Sequence, residues 1–534
     1  MGDVQAMSSV LIKNGIIVDG TGSSQYKADI VIKNEIISCI GKNIGGKFDT
    51  VIDANGKVVC PGFIDTHSHS DVQILLDPYV EPKVRQGITT EVLGQDGVST
   101  APIPEKYISP WRKNIAGLDG DSTKLKWDWK DTKGYLKLLE KNKTATNVSY
   151  LVPHGNIRME AVGLENRPLT REDIQKMKDI TERELKAGAI GISSGLIYMP
   201  CAYSEVNELI EICKVAAEQD KIFVVHQRSE ADDIVNSMKE IIKIGRESGV
   251  KIHFSHFKVC GKKNWDKVDK MAELLDEAEK EGLRVSYDQY PYSAGSTMLG
   301  VVLPGWVHDG GTDKLLKRLE DNDLRKKMID DIKNGIPGWD NFIDFAGFEN
   351  IYVTSVKTDK NKDCIGKNLV EIADMRNKDP YNATFDLLYE EENAVGMYDY
   401  YGTEEHVIKF LKRREQNVCT DGLLAGKPHP RVYGTFPRIL GRYVREKKVL
   451  TLEDAIYKMT YKAAKTFNIK DRGVLQVDKK ADVVIFSPDT VIDKSTFIDP
   501  EQYPEGIDTV IINGNVVLDN GKRSKDLSGS VIRI

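Results

Sequence analysis

Two histidines spaced two apart, His67 and His69, close the run Pro61-Gly-Phe-Ile-Asp-Thr-His-Ser-His-Ser-Asp71. The small and apolar residues ahead of them read as a buried strand. Alternate side chains of a strand share a face, so both imidazoles point to one side. Two convergent imidazoles at a strand end form one jaw of a site for a first-row metal. An isolated His-x-His also arises where one ring packs and the other is solvated, so further ligands must come from elsewhere. Candidates stand at other apparent strand ends: Asp96 in Gly-Gln-Asp-Gly, His226 in Val-Val-His-Gln-Arg, His256 in Phe-Ser-His-Phe-Lys and Asp421 in Cys-Thr-Asp-Gly. Four of the nine histidines fall at such points, which random placement seldom achieves.

The elements that must position them alternate. Strands are predicted over 63–69, 89–94, 147–152, 190–196, 222–226, 251–256, 284–290 and 417–420. Helices of the right period lie between them. Val206, Leu209, Ile210, Cys213 and Ala217 make one apolar stripe, with Ser204 as its expected N-cap. Val268, Met271, Ala272 and Leu275 make another. Eight strands in βα alternation spell a (β/α)8 barrel, whose chemistry sits where strands end and βα loops begin. The run Lys106–Asp131, rich in Trp, Gly and Lys, has no evident period and reads as a long loop after strand two.

Both ends of the chain read as short strands and turns. Val10–Val18 and Ala28–Ile32 cluster β-branched residues around turn signals; Ala481–Phe486 and Thr509–Leu518 do the same, the last folding back at Asn513-Gly514. Neither end can bury a core alone, so the termini are expected to meet in one small β-sandwich. The expected domains are 1–61 and 466–534 for that sandwich and 62–465 for the barrel. A lid-like insertion of about 293–401 falls between barrel strands seven and eight.

The bulk numbers exclude other classes. The 534 residues exceed what one ordinary core supports, and 40% hydrophobic with 29% charged residues is a globular composition. A net charge of −6 argues against nucleic acid or an anionic membrane as the main partner. No apolar run approaches the roughly 18 residues of a membrane span. The opening Met-Gly-Asp-Val-Gln-Ala has neither a leader's basic and apolar regions nor, with Ala6, a myristoylation pattern. Seven scattered cysteines, never paired as Cys-x-x-Cys, fit free thiols in a reducing cytoplasm.

Taken in order, these motifs resemble the amidohydrolase superfamily and, more closely, its N-acyl-D-amino acid deacylase (D-aminoacylase) branch. The resemblance spans nearly the whole chain. It rests on Gly62-Phe-Ile-Asp-Thr-His-Ser-His, Gly195-Leu-Ile-Tyr-Met-Pro200, Ser255-His-Phe-Lys258, Asp421-Gly-Leu continuing to Pro428–Arg438, and the closing Lys480–Phe486. It implies that His67, His69 and Asp421 bind the more exposed of two metal positions and that His226 and His256 bind the tighter one. Many superfamily members bridge the pair with a carboxylated lysine at the end of strand four, and none stands here. The branch typically uses a cysteine after strand two, and this chain has Asp96 instead. A carboxylate is harder than a thiolate and can bridge two divalent ions, so zinc is still expected, with manganese or cobalt more tolerable.

The implied reaction is hydrolysis of an N-acyl-D-amino acid to a carboxylate and a D-amino acid. Asp421 would accept the proton of the attacking water and deliver it to the departing amine. Tyr198, Lys258 and Arg431 match positions that resemble a clamp for the substrate's α-carboxylate, which Tyr290 could complete. His253 should face away from His256, His154 could line the pocket, His308 and His406 fall in the insertion and the helix after it, and Cys419 should pack. Two other readings stand beside this one. One is a cyclic amidase opening hydantoin-, dihydropyrimidine- or diketopiperazine-like rings, which would gain little from Lys258 and Arg431. The other is a non-catalytic scaffold, which would have shed metal ligands. The sequence leaves open one ion or two, and a monomer or a homo-oligomer.

Overall fold

The computed structural model describes residues 9–534, and the reading of residues 1–6 falls outside that range. The N-terminal strands are β1 (Ser9–Ile17), β2 (Tyr26–Lys33), β3 (Ile36–Gly41), β4 (Thr50–Asp53) and β5 (Val58–Pro61). The barrel strands are β6 (Phe63–Asp65), β7 (Ile88–Leu93), β8 (Asn147–Pro153), β9 (Gly191–Gly195), β10 (Ile222–His226), β11 (Lys251–Phe254) and β12 (Val285–Gln289). After an insertion carrying β13 (Ala294–Met298), β14 (Ile351–Ser355) and β15 (Gly396–Tyr400), the barrel resumes at β16 (Gln416–Val418). The chain closes with β17 (Val483–Phe486), β18 (Ile507–Ile512), β19 (Asn515–Asp519) and β20 (Lys522–Arg523).

The eight barrel strands form one parallel sheet in the order β16-β12-β11-β10-β9-β8-β7-β6. Its two end strands meet just past their ends, where Ser68 bridges Gly422 in parallel. There the Asp421 N–H donates to the His67 carbonyl at 2.9 Å and the His69 N–H to the Gly422 carbonyl at 3.4 Å. The barrel therefore closes through the residues singled out for chemistry.

Strands from both termini share a nine-stranded sheet in which β5 pairs with β1 on one side and β17 on the other. Alternation along these strands gives the sheet two apolar faces. Val59, Val483 and Ile485 join Val10, Ile12 and Ile30 in one core. Val58, Cys60, Val484 and Phe486 turn the other way, into the main core with Phe63 and Phe436. The expected hairpin at Asn513-Gly514 is present, both residues having the positive φ (46° and 78°) of a tight turn.

Two local expectations are corrected. Within Lys106–Asp131 lies a helix, Ile108–Asp119, with Trp111, Ile115 and Leu118 buried. That i, i+4, i+7 stripe is a helical signal, obscured by the Gly and Trp residues around it. The helix Val206–Glu218 has Glu205 at its N-cap with no side-chain cap, because the Ser204 hydroxyl donates to the Cys201 carbonyl at 2.7 Å. The insertion is ordered. Its strands pair antiparallel as β13-β15-β14, flanked by helices that include Thr312–Glu320 and Asn322–Asn334. It brings Thr297, Phe342, Asp399 and Tyr401 over the C-terminal mouth of the barrel. No helix among the described residues is long and apolar enough to cross a membrane.

Candidate metal centre

Six buried side chains converge at that mouth in two overlapping sets. His67, His69, Asp96 and Asp421 form one; Asp96, His226 and His256 form the other. In the first, the Nε2 atoms of His67 and His69 are 3.3 Å apart. Asp96 Oδ2 lies 3.5 and 3.4 Å from them, and Asp421 Oδ1 lies 3.6 and 3.3 Å from them. In the second, His226 Nδ1 is 2.9 Å from His256 Nε2, which is 3.7 Å from Asp96 Oδ1. Asp96 thus presents one oxygen to each set. Asp96 Oδ1 and His226 Nε2 are buried without a hydrogen-bond partner. Lone-pair donors crowded together without protons to share are costly unless a cation sits among them. The donor set, four imidazoles and two carboxylates, suits zinc and tolerates harder divalent ions.

Three of the six residues have left-handed backbones: Asp96 at φ 54°, His256 at 34° and Asp421 at 48°. Histidine seldom adopts this region, and strain of this kind collects at functional sites. The Asp96 turn is braced from β9, where Ser193 Oγ donates to the Gly94 carbonyl at 2.5 Å and accepts from the Gly97 N–H at 3.1 Å. Strand β9, which carries no lysine, therefore buttresses the ligand loop through Ser193.

Carboxylates behind the imidazoles fix their orientation, as outer partners of metal-binding histidines do. His69 Nδ1 is 3.3 Å from Asp119 Oδ1, and His256 Nδ1 is 3.2 Å from Glu230 Oε1. Asp288 accepts from the His256 N–H at 2.5 Å and contacts His253 Nε2 at 3.0 Å. Beneath them lies a buried ammonium: Lys83 Nζ donates to Asp65 Oδ2 at 2.7 Å, Ser68 Oγ at 2.9 Å and Thr420 Oγ1 at 2.7 Å. It ties the end of β6 to the end of β16.

The four residues expected around the substrate separate. Tyr198, Lys258 and Tyr290 line the pocket over the ligands. Lys258 Nζ is held 2.7 Å from Glu230 Oε2. Burial works against both charges; their attraction outweighs it, raising Lys258 and bringing Glu230 down to about 2. Arg431 is fully buried behind the pocket, its Nη1 2.9 Å from Asp421 Oδ2, its Nη2 donating to the Ser296 carbonyl and its guanidinium 4.5 Å from the centre of the Tyr290 ring. Burial alone would raise Asp421; Arg431, then His256 and His67, hold it well below the usual carboxylate range.

Of the histidines set aside, His253 and His429 support the site from behind, the latter accepting from the Arg431 N–H at 3.0 Å. His154 does not reach the pocket; its ring bridges Ser194 Oγ and Glu208 Oε1. Cys419 packs with Cys260, Tyr290 and Tyr401. Sequence reasoning missed Lys83, Asp119, Glu230 and Asp288. Only Asp288 carries a signal: it is the penultimate residue of β12, two before Tyr290.

The amidohydrolase family model matches residues 50–325 and 420–518. N-acyl-D-glutamate deacylase of Alcaligenes xylosoxydans xylosoxydans is 33% identical over 96% of this chain and 94% of its own length. D-aminoacylase of the same organism is 33% identical over 95% and 93%. A solved structure of N-acyl-D-glutamate deacylase from Bordetella bronchiseptica, complexed with zinc and a phosphonate mimic of the tetrahedral intermediate, superposes with a TM-score of 0.84. It is 32% identical and covers 99% of this chain and 100% of that one.

Proposed function

The chain belongs to the amidohydrolase family, and from that premise we propose that it is a metal-dependent deacylase of N-acyl-D-amino acids. The observation that carries the reading is the pair of donor sets sharing Asp96, set at the strand ends of a barrel that matches deacylases over nearly its whole length. His67, His69 and Asp421 would hold one ion, His226 and His256 a second, and Asp96 would face both. Zinc suits these donors. Bound there, a divalent ion polarises the amide carbonyl and lowers the pKa of water from about 16 towards 7.

The residues of the chain do the rest. Asp421, kept ionised by Arg431, accepts the proton of the attacking water. It then passes that proton to the amine, a poor leaving group that cannot depart as an anion. Lys258, with Tyr290 and Tyr198 beside it, receives the substrate's α-carboxylate through charge-assisted hydrogen bonds. A ring-opening amidase would have no carboxylate to place there. Residues 62–465, less the insertion of about 293–401, make up the barrel; 1–61 and 466–534 make up the terminal β domain. Seven unpaired cysteines suit a cytoplasmic enzyme.

The deciding experiment is amine release from paired D- and L-amino acids, each offered as its N-acetyl and N-octanoyl derivative, with metal analysis of the same sample. Release from the D-forms alone, with one or two equivalents of metal, is expected. A metal-replete protein that releases amine from neither series would sink the proposal.

A further inference from the structure

Next to the pocket over the metal ligands lies a second, larger chamber. Only about 30 Å³ is open beside the ligands, against about 480 Å³ in the chamber. The two spaces share Ile197, Tyr198, Asp340 and Phe342, whereas Lys258, Tyr290 and Tyr401 line the ligand pocket but not the chamber. Lys258 thus stands on a wall that the chamber does not share, and the chamber meets the ligand pocket along Ile197, Tyr198, Asp340 and Phe342. A substrate with its α-carboxylate at Lys258 and its scissile amide on the ligands would send its acyl arm across that shared wall.

The chamber's lining is mostly apolar, with Leu196, Met199, Val301, Leu303, Trp306 and Trp339 among it and the neutral amides of Asn114, Asn166 and Asn393 at its polar points. It offers no cation for a second acid. The one guanidinium on its wall, Arg228, is committed to Glu240 at 2.9 Å and to the carbonyls of Ala202 at 3.0 Å and Ser204 at 2.9 Å. His308 Nε2–H donates to the Gly300 carbonyl at 3.0 Å, and burial pulls its pKa down to about 4, so it is neutral. Asp340 adds an acid, bonded to Ser229 Oγ and the Glu230 N–H.

We propose that this chamber receives a large, uncharged apolar acyl group, so that the preferred substrates are medium-chain or arylacyl derivatives of D-amino acids and not acetylated ones. A space of this volume lined by aromatic and aliphatic side chains is of the size that buries a drug-like apolar group. The inference rests on the deacylase reading and adds the acyl class to it.

The test is amine release by the metal-replete enzyme from D-alanine carrying acetyl, butanoyl, pentanoyl, hexanoyl, octanoyl or glutaryl groups, beside N-acetyl derivatives of D-amino acids with lengthening alkyl side chains. The expected result is a rise in kcat/KM of up to about fourfold per methylene, the transfer increment of a buried CH2, with glutaryl refused relative to pentanoyl. Gly305 lines the chamber, and a Cβ there meets only the flexible end of Met199. Gly305→Phe should therefore collapse the octanoyl-to-acetyl ratio, a readout that partial loss of active protein does not move. Cleavage of acetyl-D-alanine with no gain on lengthening overturns the chamber assignment and leaves the deacylase intact. A gain on lengthening the D-side chain in place of the acyl chain likewise overturns it. No release from any member overturns both.

Discussion

Arg431 Nη1 lies 2.9 Å from Asp421 Oδ2, and the guanidinium is fully buried behind Asp421 and Tyr290, which line the pocket. The cation expected to meet substrate instead meets the proposed proton carrier. Asp421→Asn should retain metal yet lose turnover by about a hundred- to ten-thousandfold, the usual contribution of a positioned acid–base group. Arg431→Met should lower kcat by about ten- to a hundredfold with little change in KM. A rise in KM alone would return Arg431 to the role of substrate clamp. Initial-rate kinetics beside metal analysis separate these outcomes.

Asp96 faces both donor sets, so its loss should weaken both ions together. Asp96→Ala is expected to leave substoichiometric metal, whereas Asp96→Cys should restore loading with a shift towards zinc over manganese, because thiolate is the softer ligand. Metal content after dialysis against mixed ions reads the result; full retention by the alanine variant would rule out the shared-ligand role.

Ser193 holds the loop that carries Asp96 from both sides. Ser193→Ala strands a buried carbonyl and a buried N–H, at about 1–3 kcal/mol. It should also weaken metal binding by about ten- to a hundredfold without touching a donor atom. Titration of the metal-free protein with zinc measures this, and unchanged affinity would make the serine merely structural.

Asp399 is buried in the pocket wall, and burial raises its carboxyl to about 7, against the pull of Lys258 and Arg431 and with the push of Glu230. The phenols of Tyr290 and Tyr401, both buried and un-ionised at neutral pH, also line that pocket. A folded pKa above the unfolded value, about 3.9, means stability that is whole below pH ~4 and lost as pH climbs through about 7. Thermal midpoints from pH 4 to 9 should show this decline, and Asp399→Asn should flatten it. An identical slope in the variant would assign the decline to other groups.

The strands were legible because parallel barrel strands are buried on both faces and read as apolar runs, each ending on a residue unsuited to a core: His67, Asp96, His226, His256, Asp421. What supports those residues was not. Lys83 sits in Glu81-Pro-Lys-Val and looks like any solvated lysine of a short helix; its burial is decided by Asp65 and Thr420, contacts no local pattern encodes. Asp119 and Glu230 are acids beside loops, a type and place that usually mean solvent. The helix Ile108–Asp119 has its stripe, but it lies between two stretches without period that mask it.

β6 and β16 meet along one seam. Its hydrogen bonds run through His67, His69, Asp421 and Gly422, so the ligand residues are also the clasp of the cylinder. An ion gripping that clasp joins the two edges of a curled sheet that would otherwise be free to part. Loading the site would then act like closing a bracelet. The free energy of coordination appears as resistance to opening along one line, with amides of β6 and β16 slowing their hydrogen exchange more than those on the far wall.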